Sequence, residues 1–413
     1  MNDTIGIIRP NYGHKGDFAI LKGTLTVFRQ LGVNIDFLID PDVDLPENLF
    51  TVSIIRTWPT IFQQNVVCGK GIKKQAYLKA LTTLLTWRPK VDIDLLWYIG
   101  GVRFGAISSR YAIAELLYSL YCKHHFKAKM IFGGISIAIG KNTLSKLYTS
   151  FIYKKAIMNV DYILVRDKQS FNFLRMLGYP ANKLSFVCDF AFHIDPKRTT
   201  KTDEISSMIK ECEKPVGIIP DVSKLKHPKS DFDNEYFQRL LKLVQKLKNE
   251  GFSVLLIPLS NTRLANTPPY TQDDYEACIE VNTRLGISLP VIKTKNLEPE
   301  EIIQIMQDLD CIISVGRLHG AVFGCLANIP TIHIYFEEKS LMLKDLFGGD
   351  FPLFWCHDWL THLEIDNKIV SFIKNPPTVN YRKEIDIYRK EIDIWRKRPL
   401  EEVKQALKIL EVL

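Results

Sequence analysis

The sequence predicts an α/β protein made of two doubly wound domains that face each other across a cleft. Short apolar runs alternate with longer amphipathic stretches, this alternation occurs in two separate series, and the short runs are apolar throughout. Continuously apolar strands are typical of parallel sheets that helices cover on both faces. The length of 413 residues also favours two cores over one.

The first series predicts an N-terminal domain over residues 1–200. Its strands are expected at residues 4–9, 33–38, 95–99, 129–132 and 162–165. Its helices are expected at residues 18–31, 106–122 and 167–177. Apolar residues recur at helical spacing along one face of the first helix, and Gly178 and Pro180 end the last one.

The second series predicts a C-terminal domain over residues 201–376. Its strands are expected at residues 216–219, 253–257, 290–292, 311–314 and 331–334. Its helices are expected at residues 234–250, 273–285, 299–309 and 321–327. Residues 195–215 are rich in Lys, Thr, Glu and Pro, which predicts a linker with one short helix. Ligands of doubly wound domains bind beyond the carboxyl ends of the strands, so the cleft is the expected site.

Residues 377–413 predict a C-terminal amphipathic helix. The heptapeptide YRKEIDI occurs twice, at residues 381–387 and 388–394, and its Tyr and Ile side chains form one helical stripe with Trp395. Two interpretations remain open for this stripe. The helix docks on the protein or on a second subunit, or it lies on an anionic membrane surface with Tyr and Trp at the interface.

Composition excludes several classes of protein. The formal charge of +8 is modest and its basic residues are dispersed, which disfavours nucleic acid and suits an anionic substrate or surface. None of the eight cysteines has CxxC spacing, so we expect reduced thiols and no metal cluster. The N-terminus lacks a secretory signal and no apolar run reaches ~18 residues. These features predict a cytoplasmic protein.

The segment 313–320, ISVGRLHG, carries the strongest chemical signal. A strand runs into Gly316 and a helix begins near Gly320, so the backbone N–H groups of these glycines are placed to bind an anion. Arg317 can bind a carboxylate or phosphate in a bidentate way. His319 titrates near neutrality and can exchange a proton in the same pocket, although structural capping of the helix is the competing interpretation.

The first loop is the second candidate. Gly13 and Gly16 allow a tight turn, and His14 and Lys15 project from that turn toward an anion. Asp17 either caps the following helix or orients and deprotonates an acceptor hydroxyl, and both interpretations are kept.

The remaining candidates are more isolated. Gly100, Gly101 and Arg103 follow a strand and face the predicted cleft, while Lys339 contacts phosphate or caps a helix. Arg166 and Asp167 either pair with each other or cap a helix, and Asn261 and Arg263 line the second domain's side of the cleft. The paired acids Asp273 and Asp274 are interpreted as helix caps.

Several segments together resemble the polysaccharide pyruvyl transferase family. They occur in family order, and each is weak alone. The segments are NYGHKGDFAI at 11–20, GG at 100–101, GGISIAIG at 133–140, VRD at 165–167 with Ser170, DFAF at 189–192, RLHG at 317–320, ANIP at 327–330 and IYFEEK at 334–339. His14 stands where the family often has Asn, and Val102 stands in place of a third glycine.

The resemblance implies two Rossmann-like domains in a GT-B-like arrangement, with the acceptor on the N-terminal side and the donor on the C-terminal side. It implies that phosphoenolpyruvate binds in the cleft as donor substrate, that Arg317 binds this donor, and that His319 performs acid/base work. No cofactor and no metal are implied. The implied acceptor is a glycan of a surface polysaccharide, or its lipid-linked precursor, which would place the enzyme at the inner face of the membrane.

Three functional hypotheses follow. The first is pyruvyl transfer to a glycan, the second is glycosyl transfer from a nucleotide sugar on the same architecture, and the third is a non-catalytic glycan-binding relative. Fold analogy does not separate the first two, because their difference lies in the donor. The intact Arg317 and His319 pair favours an enzyme over the third.

Overall fold

We describe the fold from a computed structural model of the chain. It describes residues 4–8, 14–39, 53–55, 91–104, 119–137, 154, 157–221, 231–259, 261–262, 272–286, 288–375 and 380–412. Within some of these ranges the structure describes only the backbone.

The N-terminal domain is built on a seven-stranded parallel sheet with the order β3-β2-β1-β4-β5-β6-β7. Its strands are β1 (Ile5–Ile8), β2 (Phe37–Ile39), β3 (Ser53–Ile55), β4 (Leu95–Phe104), β5 (Lys129–Ile137), β6 (Tyr162–Val165) and β7 (Leu184–Phe186). Helices α1 (Lys15–Gln30), α2 (Lys168–Met176) and α3 (Thr200–Lys210) follow β1, β6 and β7 in the chain. The sheet order reverses between β1 and β4, which is the place where doubly wound sheets bind ligands.

The C-terminal domain repeats this plan on a five-stranded parallel sheet with the order β14-β13-β12-β8-β9. Its strands are β8 (Pro215–Pro220), β9 (Ser253–Leu256), β12 (Cys311–Val315), β13 (Thr331–Tyr335) and β14 (Leu353–Trp355), and β10 (Asn261–Thr262) and β11 (Gln272–Asp273) form a separate antiparallel pair. Here the order reverses between β8 and β12. The second reversal therefore places the end of β12 at the expected ligand edge.

The helices of this domain are α4 (Asp231–Asn249), α5 (Asp274–Leu285), α6 (Pro299–Met306), α7 (Leu318–Ala327), α8 (Met342–Phe347), α9 (Cys356–Thr361) and α10 (Glu364–Lys374). Proline stands at the start of α6, where its missing N–H costs nothing, and Glu298 and Glu301 form a capping box there. Asn328 ends α7 in the left-handed conformation that a C-cap requires. Local sequence therefore defines where α6 begins and where α7 ends.

The largest apolar core continues from one domain into the other. It includes Phe18 and Leu21 of α1 together with Ile302 of α6 and Val322 of α7, all buried. Helix α1 also approaches α6 directly. The two domains are therefore joined through α1, on the side where both sheet orders reverse.

The C-terminal helix α11 (Asn380–Ile409) docks on the protein through its second half. Val403, Ala406 and Leu407 are buried in the main core, and Arg396 donates to the backbone carbonyl of Ile194 at 2.8 Å. The second half of the helix thus packs on its own chain, whereas the stripe from Tyr381 to Trp395 has its side chains outside the described part, so both interpretations of the stripe stay predictions. None of the described helices has the length and apolarity needed to cross a membrane.

Most predicted elements are confirmed, but the helix expected at residues 106–122 lies largely outside the described residues. The strand expected at residues 290–292 is wrong, because only Val291 forms an isolated bridge, to Leu256. Three further differences are notable. Helix α1 begins at Lys15 rather than at residue 18, because its cap lies further upstream than predicted. Strands β4 and β5 extend well beyond their apolar runs, and the glycines that were expected to end them lie within these strands. The short strands β3, β7 and β14 were not predicted, since three residues are too few to show a periodic pattern. The residue boundaries of the two domains stay a prediction.

Candidate active site

The turn between β12 and α7 places Arg317 and His319 at the ligand edge of the C-terminal sheet. Gly316 has a φ of 86°, a conformation in which a side chain would be strained, so the chain can turn sharply there. Arg317 is the N-cap residue of α7, and His319 lies in the first turn of the helix. The helix therefore begins at Leu318, three residues before the predicted start at 321, and its first turn positions both side chains.

Arg317 is held between two carboxylates. Its Nη2 atom lies 3.3 Å from Asp274 Oδ1 and 3.4 Å from Asp221 Oδ1. Burial opposes the charged guanidinium, but Asp274 and then Asp221 raise the pKa of Arg317 above its usual value. Its Nε atom is buried and has no hydrogen-bond partner. One donor of a firmly charged side chain is thus unused, which is rare for a buried group.

His319 faces the N-terminal domain. Its Nε2 atom lies 3.4 Å from Asp189 Oδ2, within ion-pair distance, although this contact is too poorly aligned to satisfy the ring nitrogen as a hydrogen bond. Asp189 also pairs with Arg166, which donates to Ser136 through Nε at 2.8 Å. Burial raises the pKa of Asp189, but the charge of Arg166 and the contact with His319 outweigh it and lower this pKa below its ordinary value. Asp189 is therefore a fixed negative charge beside the imidazole.

The first turn of α1 supplies the other half of the site. His14 is the N-cap residue, and its Nδ1 atom accepts a hydrogen bond from Gly16 N–H at 3.2 Å. The rings of His14 and His319 lie 6.2 Å apart between centroids in an edge arrangement. Burial lowers the pKa of His14 to about 4, with Asp17 opposing this and Arg317 adding to it. At neutral pH His14 is therefore an uncharged ring next to His319.

Asp17 lies in the first turn of α1 and close to both histidines. The expectation that Asp17 caps this helix is wrong, because His14 performs that role. One ligand atom from each of His14, Asp17 and His319 lies within 4.8 Å of the other two. Among the described residues, these three side chains form a group that could hold a metal ion. No described residue assigns a place to an organic cofactor.

Gly16 permits this approach of the two domains. A β-carbon added at Gly16 would collide with the imidazole of His319, on the side of its Nδ1 atom. The glycine was expected to serve the turn, but its main effect is clearance for His319.

Lys15 does not face an anion, so that expectation is wrong. Lys15 is the first residue of α1 and is almost fully buried, and its Nζ atom donates to the backbone carbonyls of Lys295 at 3.1 Å and Leu297 at 2.7 Å. Burial lowers its pKa to about 8, although Glu298 and Glu301 oppose this shift. Because α1 starts early, Lys15 points into the C-terminal domain and contributes to the contact between the domains.

Lys22 strengthens the same contact. Its Nζ atom lies 2.8 Å from Glu298 Oε2 and 2.6 Å from Glu300 Oε1, which are at the start of α6. The N-terminal half of α1 therefore both frames the site and fixes one domain against the other.

The glycine amides predicted to bind an anion are already used. Gly316 N–H donates to Ile334 O at 2.8 Å, and Gly320 N–H donates to Arg317 O at 2.9 Å. A β-carbon at Gly320 would collide with Ser314, and one at Gly100 would collide with the backbone of β5. The amides of Gly316 and Gly320 are therefore not free for an anion, which is a correction, whereas the substrate contact of Gly100 stays a prediction.

Lys339 and the remaining candidates are more distant or not described. Lys339 forms an ion pair with Glu337 at 2.7 Å, and its charge acts on His14 and His333. Asp167 caps α2, as expected, whereas Arg166 pairs with Asp189 instead of Asp167. Gly13 and Arg263 lie outside the described residues. Only the backbone is described for Gly101 and Arg103 in β4 and for Asn261 in β10.

The expected open crevice is not seen around these side chains. The side chain of Arg317 is 15% exposed and that of His319 is 9% exposed. A cavity of about 470 Å³ lies elsewhere, among Asp167, Phe173, Met176 and Leu341, and it is not lined by the histidines. The side chains of Arg317 and His319 thus lie in a nearly closed site.

Three carboxylates of this site were missed as functional candidates. Asp189 was noted only within a family-like segment, Asp274 was interpreted as a helix cap, and Asp221 was not considered. Asp221 directly follows β8 and Asp274 begins α5, so both lie at element ends that point to the same edge. An acidic residue directly after a predicted strand of a doubly wound domain is the signal that would have found Asp221.

Comparison with known proteins agrees with this geometry. The family model of polysaccharide pyruvyl transferase matches residues 14–338. This match covers most of the chain and begins at His14, and it includes both halves of the site. The chain therefore belongs to the polysaccharide pyruvyl transferase family, and it is a transferase. No curated protein sequence matches the chain.

Solved structures show the same architecture. The complex of Anabaena Alr3699/HepE with UDP and glucose has a TM-score of 0.56 at 10% identity and covers 98% of this chain and 99% of that one. The structure of trehalose-6-phosphate from E. coli bound with UDP-2-fluoro glucose has a TM-score of 0.57 at 10% identity. The alignment covers 97% of this chain and 99% of that one. The UDP-forming α,α-trehalose-phosphate synthase from Burkholderia vietnamiensis has a TM-score of 0.57 at 12% identity. The alignment covers 98% of this chain and 100% of that one. At such identities the similarity shows the fold alone, and it confirms the predicted GT-B-like pair of domains.

Proposed function

We propose that this member of the polysaccharide pyruvyl transferase family transfers the enolpyruvyl unit of phosphoenolpyruvate to a sugar of a surface polysaccharide or of its lipid-linked precursor, forming a pyruvate ketal. One observation carries the proposal. Arg317 and His319 from the C-terminal domain meet His14 and Asp17 from the N-terminal domain at the edge where both sheet orders reverse.

Arg317 is the donor-binding group in this proposal. Its buried Nε donor has no partner, and its Nη2 atom is 3.3 Å and 3.4 Å from two carboxylates. A phosphate or carboxylate of the donor satisfies Nε and competes with Asp221 and Asp274 for the rest of the guanidinium. Preorganised positive charge that faces a leaving phosphate stabilises the transition state more than the same charge in water.

His319 supplies the proton that starts the reaction. The proton goes to the methylene carbon of the donor, and an oxocarbenium-like centre forms at the adjacent carbon. The first sugar hydroxyl adds to this centre and loses its proton, and the bond to phosphate breaks. A second hydroxyl then closes the ketal ring and passes its proton to the neutral His319, which restores the acid. Asp189, held by Arg166, stabilises the protonated imidazole, because a buried carboxylate next to an imidazolium favours its charged form.

Asp17 is the described candidate for the base that accepts the hydroxyl proton. It is the carboxylate within 4.8 Å of both histidines, and it belongs to the domain that the family resemblance assigns to the acceptor. A carboxylate within hydrogen-bond reach of an attacking hydroxyl is a general base of the usual kind.

The experiment is an assay of phosphate release from phosphoenolpyruvate with a pool of oligosaccharides and lipid-linked oligosaccharides. The proposal expects release that depends on the acceptor, together with the methyl signal of a ketal in the NMR spectrum of the product. Thermal unfolding with phosphoenolpyruvate or nucleotide sugars identifies the donor, because a ligand of the folded state raises Tm. Stabilisation by a nucleotide sugar, with none by phosphoenolpyruvate, would overturn the proposal in favour of glycosyl transfer.

The proposed lipid-linked acceptor places the enzyme at the inner face of the membrane. The first half of α11 carries the YRKEIDI repeat, and basic amphipathic helices bind anionic lipid surfaces. Sedimentation with anionic liposomes compares the full chain with a chain ending near Pro377. Equal partitioning of the two chains contradicts membrane binding by this helix.

A further inference from the structure

The arrangement of His14, Asp17 and His319 is more specific than proton transfer requires. Two imidazoles and one carboxylate place their ligand atoms within 4.8 Å of one another, and they come from two domains. Ligands that lie ~2.0–2.2 Å from a tetrahedral zinc ion are roughly 3.4 Å apart, so small rotations of the side chains would complete one face of such a site. Three protein ligands with one open position are typical of a reactive metal site.

The two ring nitrogens of His319 point to different partners. The side of the ring that carries Nδ1 lies against Gly16, at the first turn of α1, where His14 and Asp17 are found. The Nε2 atom lies 3.4 Å from Asp189 and is buried without a satisfactory hydrogen bond. Metal-binding histidines usually turn one nitrogen to the metal and donate the other N–H to a carboxylate. His319 places its Nε2 atom beside such a carboxylate, 3.4 Å from Asp189 Oδ2, and Arg166 holds that carboxylate in place.

The second histidine, His14, uses its Nδ1 lone pair for one backbone hydrogen bond. The Nδ1 atom of His14 accepts from the Gly16 amide at 3.2 Å, so this nitrogen carries no proton. That bond is long for a nitrogen donor, and a metal ion that takes the lone pair replaces a weak contact.

The surrounding charges favour a cation. Among the described residues around the cluster, four carboxylates (Asp17, Asp189, Asp221 and Asp274) face three cationic groups (Arg166, Arg317 and Lys339). A bound divalent cation reduces this excess of negative charge, whereas a bound anion increases it. Imidazole nitrogens also select zinc-like transition metals over magnesium, which prefers oxygen ligands.

We propose that His14, Asp17 and His319 bind one divalent transition metal ion of the zinc type, and that this ion and phosphoenolpyruvate occupy the site alternately. The second part rests on the proposed function. A metal on Nδ1 of His319 takes the lone pair that carries the transferable proton, so the metal-bound enzyme is inactive. The metal ion therefore inhibits the enzyme by occupying its active site.

The test is a titration of the full-length, metal-free protein with Co²⁺, followed in the visible absorption spectrum. We expect one ion per chain with the intensified bands of a four-coordinate site, displacement by Zn²⁺, and no displacement by Mg²⁺. His14→Asn keeps a good helix cap and removes a ring nitrogen, so it should weaken binding at least ~10-fold and abolish the bands. His362→Asn, which removes an exposed histidine near Glu364, should change nothing.

The activity readout separates the two proposals. Zn²⁺ should inhibit acceptor-dependent phosphate release in step with its occupancy, and phosphoenolpyruvate should bleach the Co²⁺ bands. Binding of Co²⁺ that His14→Asn leaves unchanged, or absence of a stoichiometric site, overturns the metal site and leaves pyruvyl transfer intact. A specific Co²⁺ site in a protein without pyruvyl transfer leaves the metal site and overturns the function. Activation of phosphate release by Zn²⁺ would overturn the proposed inhibition.

Discussion

The two strand-to-helix turns that form the site differ in how they use their basic residue. After β12, Arg317 remains at the site and is balanced by Asp221 and Asp274. After β1, Lys15 leaves the site and binds backbone carbonyls of the other domain. Both turns look like anion-binding loops in the sequence. The position of the helix start decides which basic side chain faces the ligand and which one joins the domains.

The C-terminal turn therefore supplies the proposed donor-binding group and acid, whereas the N-terminal turn supplies the proposed base and the contact between the domains. Arg317 and His319 stand at the start of α7, whose residues are all buried between its own domain and the N-terminal domain. Helix α1 instead contacts α6 of the other domain through Lys15 and Lys22. Substitutions of Arg317 and His319 should therefore change turnover, and substitutions of Lys15 and Lys22 should change the contact between the domains.

The largest effect is expected for His319→Asn. The acceptor-dependent release of phosphate should fall by about 10²–10⁴-fold, because a positioned acid contributes that much to catalysis. Tm should remain close to that of the unaltered protein, and His362→Asn is the matched control on an exposed histidine. Turnover that stays within a few-fold would remove His319 from proton transfer and would transfer the chemistry to the N-terminal turn.

Arg317→Met should show that this charge also holds its own domain together. The buried carboxylate of Asp274 loses its described guanidinium partner, so the free energy of unfolding should fall by roughly 3–5 kcal/mol in urea titrations. Arg198→Met, which breaks an exposed pair with Asp203, should cost less than about 1 kcal/mol. Equal losses in the two variants would contradict a buried ion pair at the C-terminal turn.

Acid should destabilise the packed interior on both sides of the site. Burial lowers the pKa of His193, in the N-terminal domain, and of His333, in β13, to about 4. The unfolded chain therefore binds more protons between about pH 6.5 and 4, so this stability is complete above pH 6.5 and decreases as the pH falls to 4. Each histidine contributes on the order of 3 kcal/mol, and His333→Gln should flatten the profile of unfolding free energy against pH. An unchanged profile would contradict a buried neutral His333.

Gly16→Ala tests the contact between the two turns. The added methyl collides with His319, so overpacking should cost about 1–3 kcal/mol and lower turnover more than substrate affinity. Gly349→Ala adds a methyl where no atom lies nearby and serves as the control. An active and fully stable Gly16→Ala variant would mean that the turns lie further apart than described here.

The smallest effect is expected for Lys22→Ala at the domain contact. This lysine is partly exposed, and its pairs with Glu298 and Glu300 should contribute only about 0.5–1 kcal/mol. The loss should shrink at high salt, because ions screen exposed pairs. A loss that does not depend on salt would argue against an electrostatic contact.

The fold was largely readable from the sequence, because both domains rest on apolar strands with strong helical spacing between them. The site was readable in part. Arg317 and His319 lie next to each other in the chain, so local sequence identified them together. Asp189 and Asp274 reach the site from elements far away in sequence, and a single sequence shows no signal of such contacts. Lys15 was misassigned because an unusual cap, His14, starts α1 early.

The most direct test of the account is a crystal structure of the protein with bound phosphoenolpyruvate. We predict that the phosphate or carboxylate of the donor bonds to Arg317, with its methylene carbon next to the imidazole of His319 and the first turn of α1 closing over it. Phosphoenolpyruvate bound away from both turns, with Arg317 still paired to Asp221 and Asp274, would contradict the account.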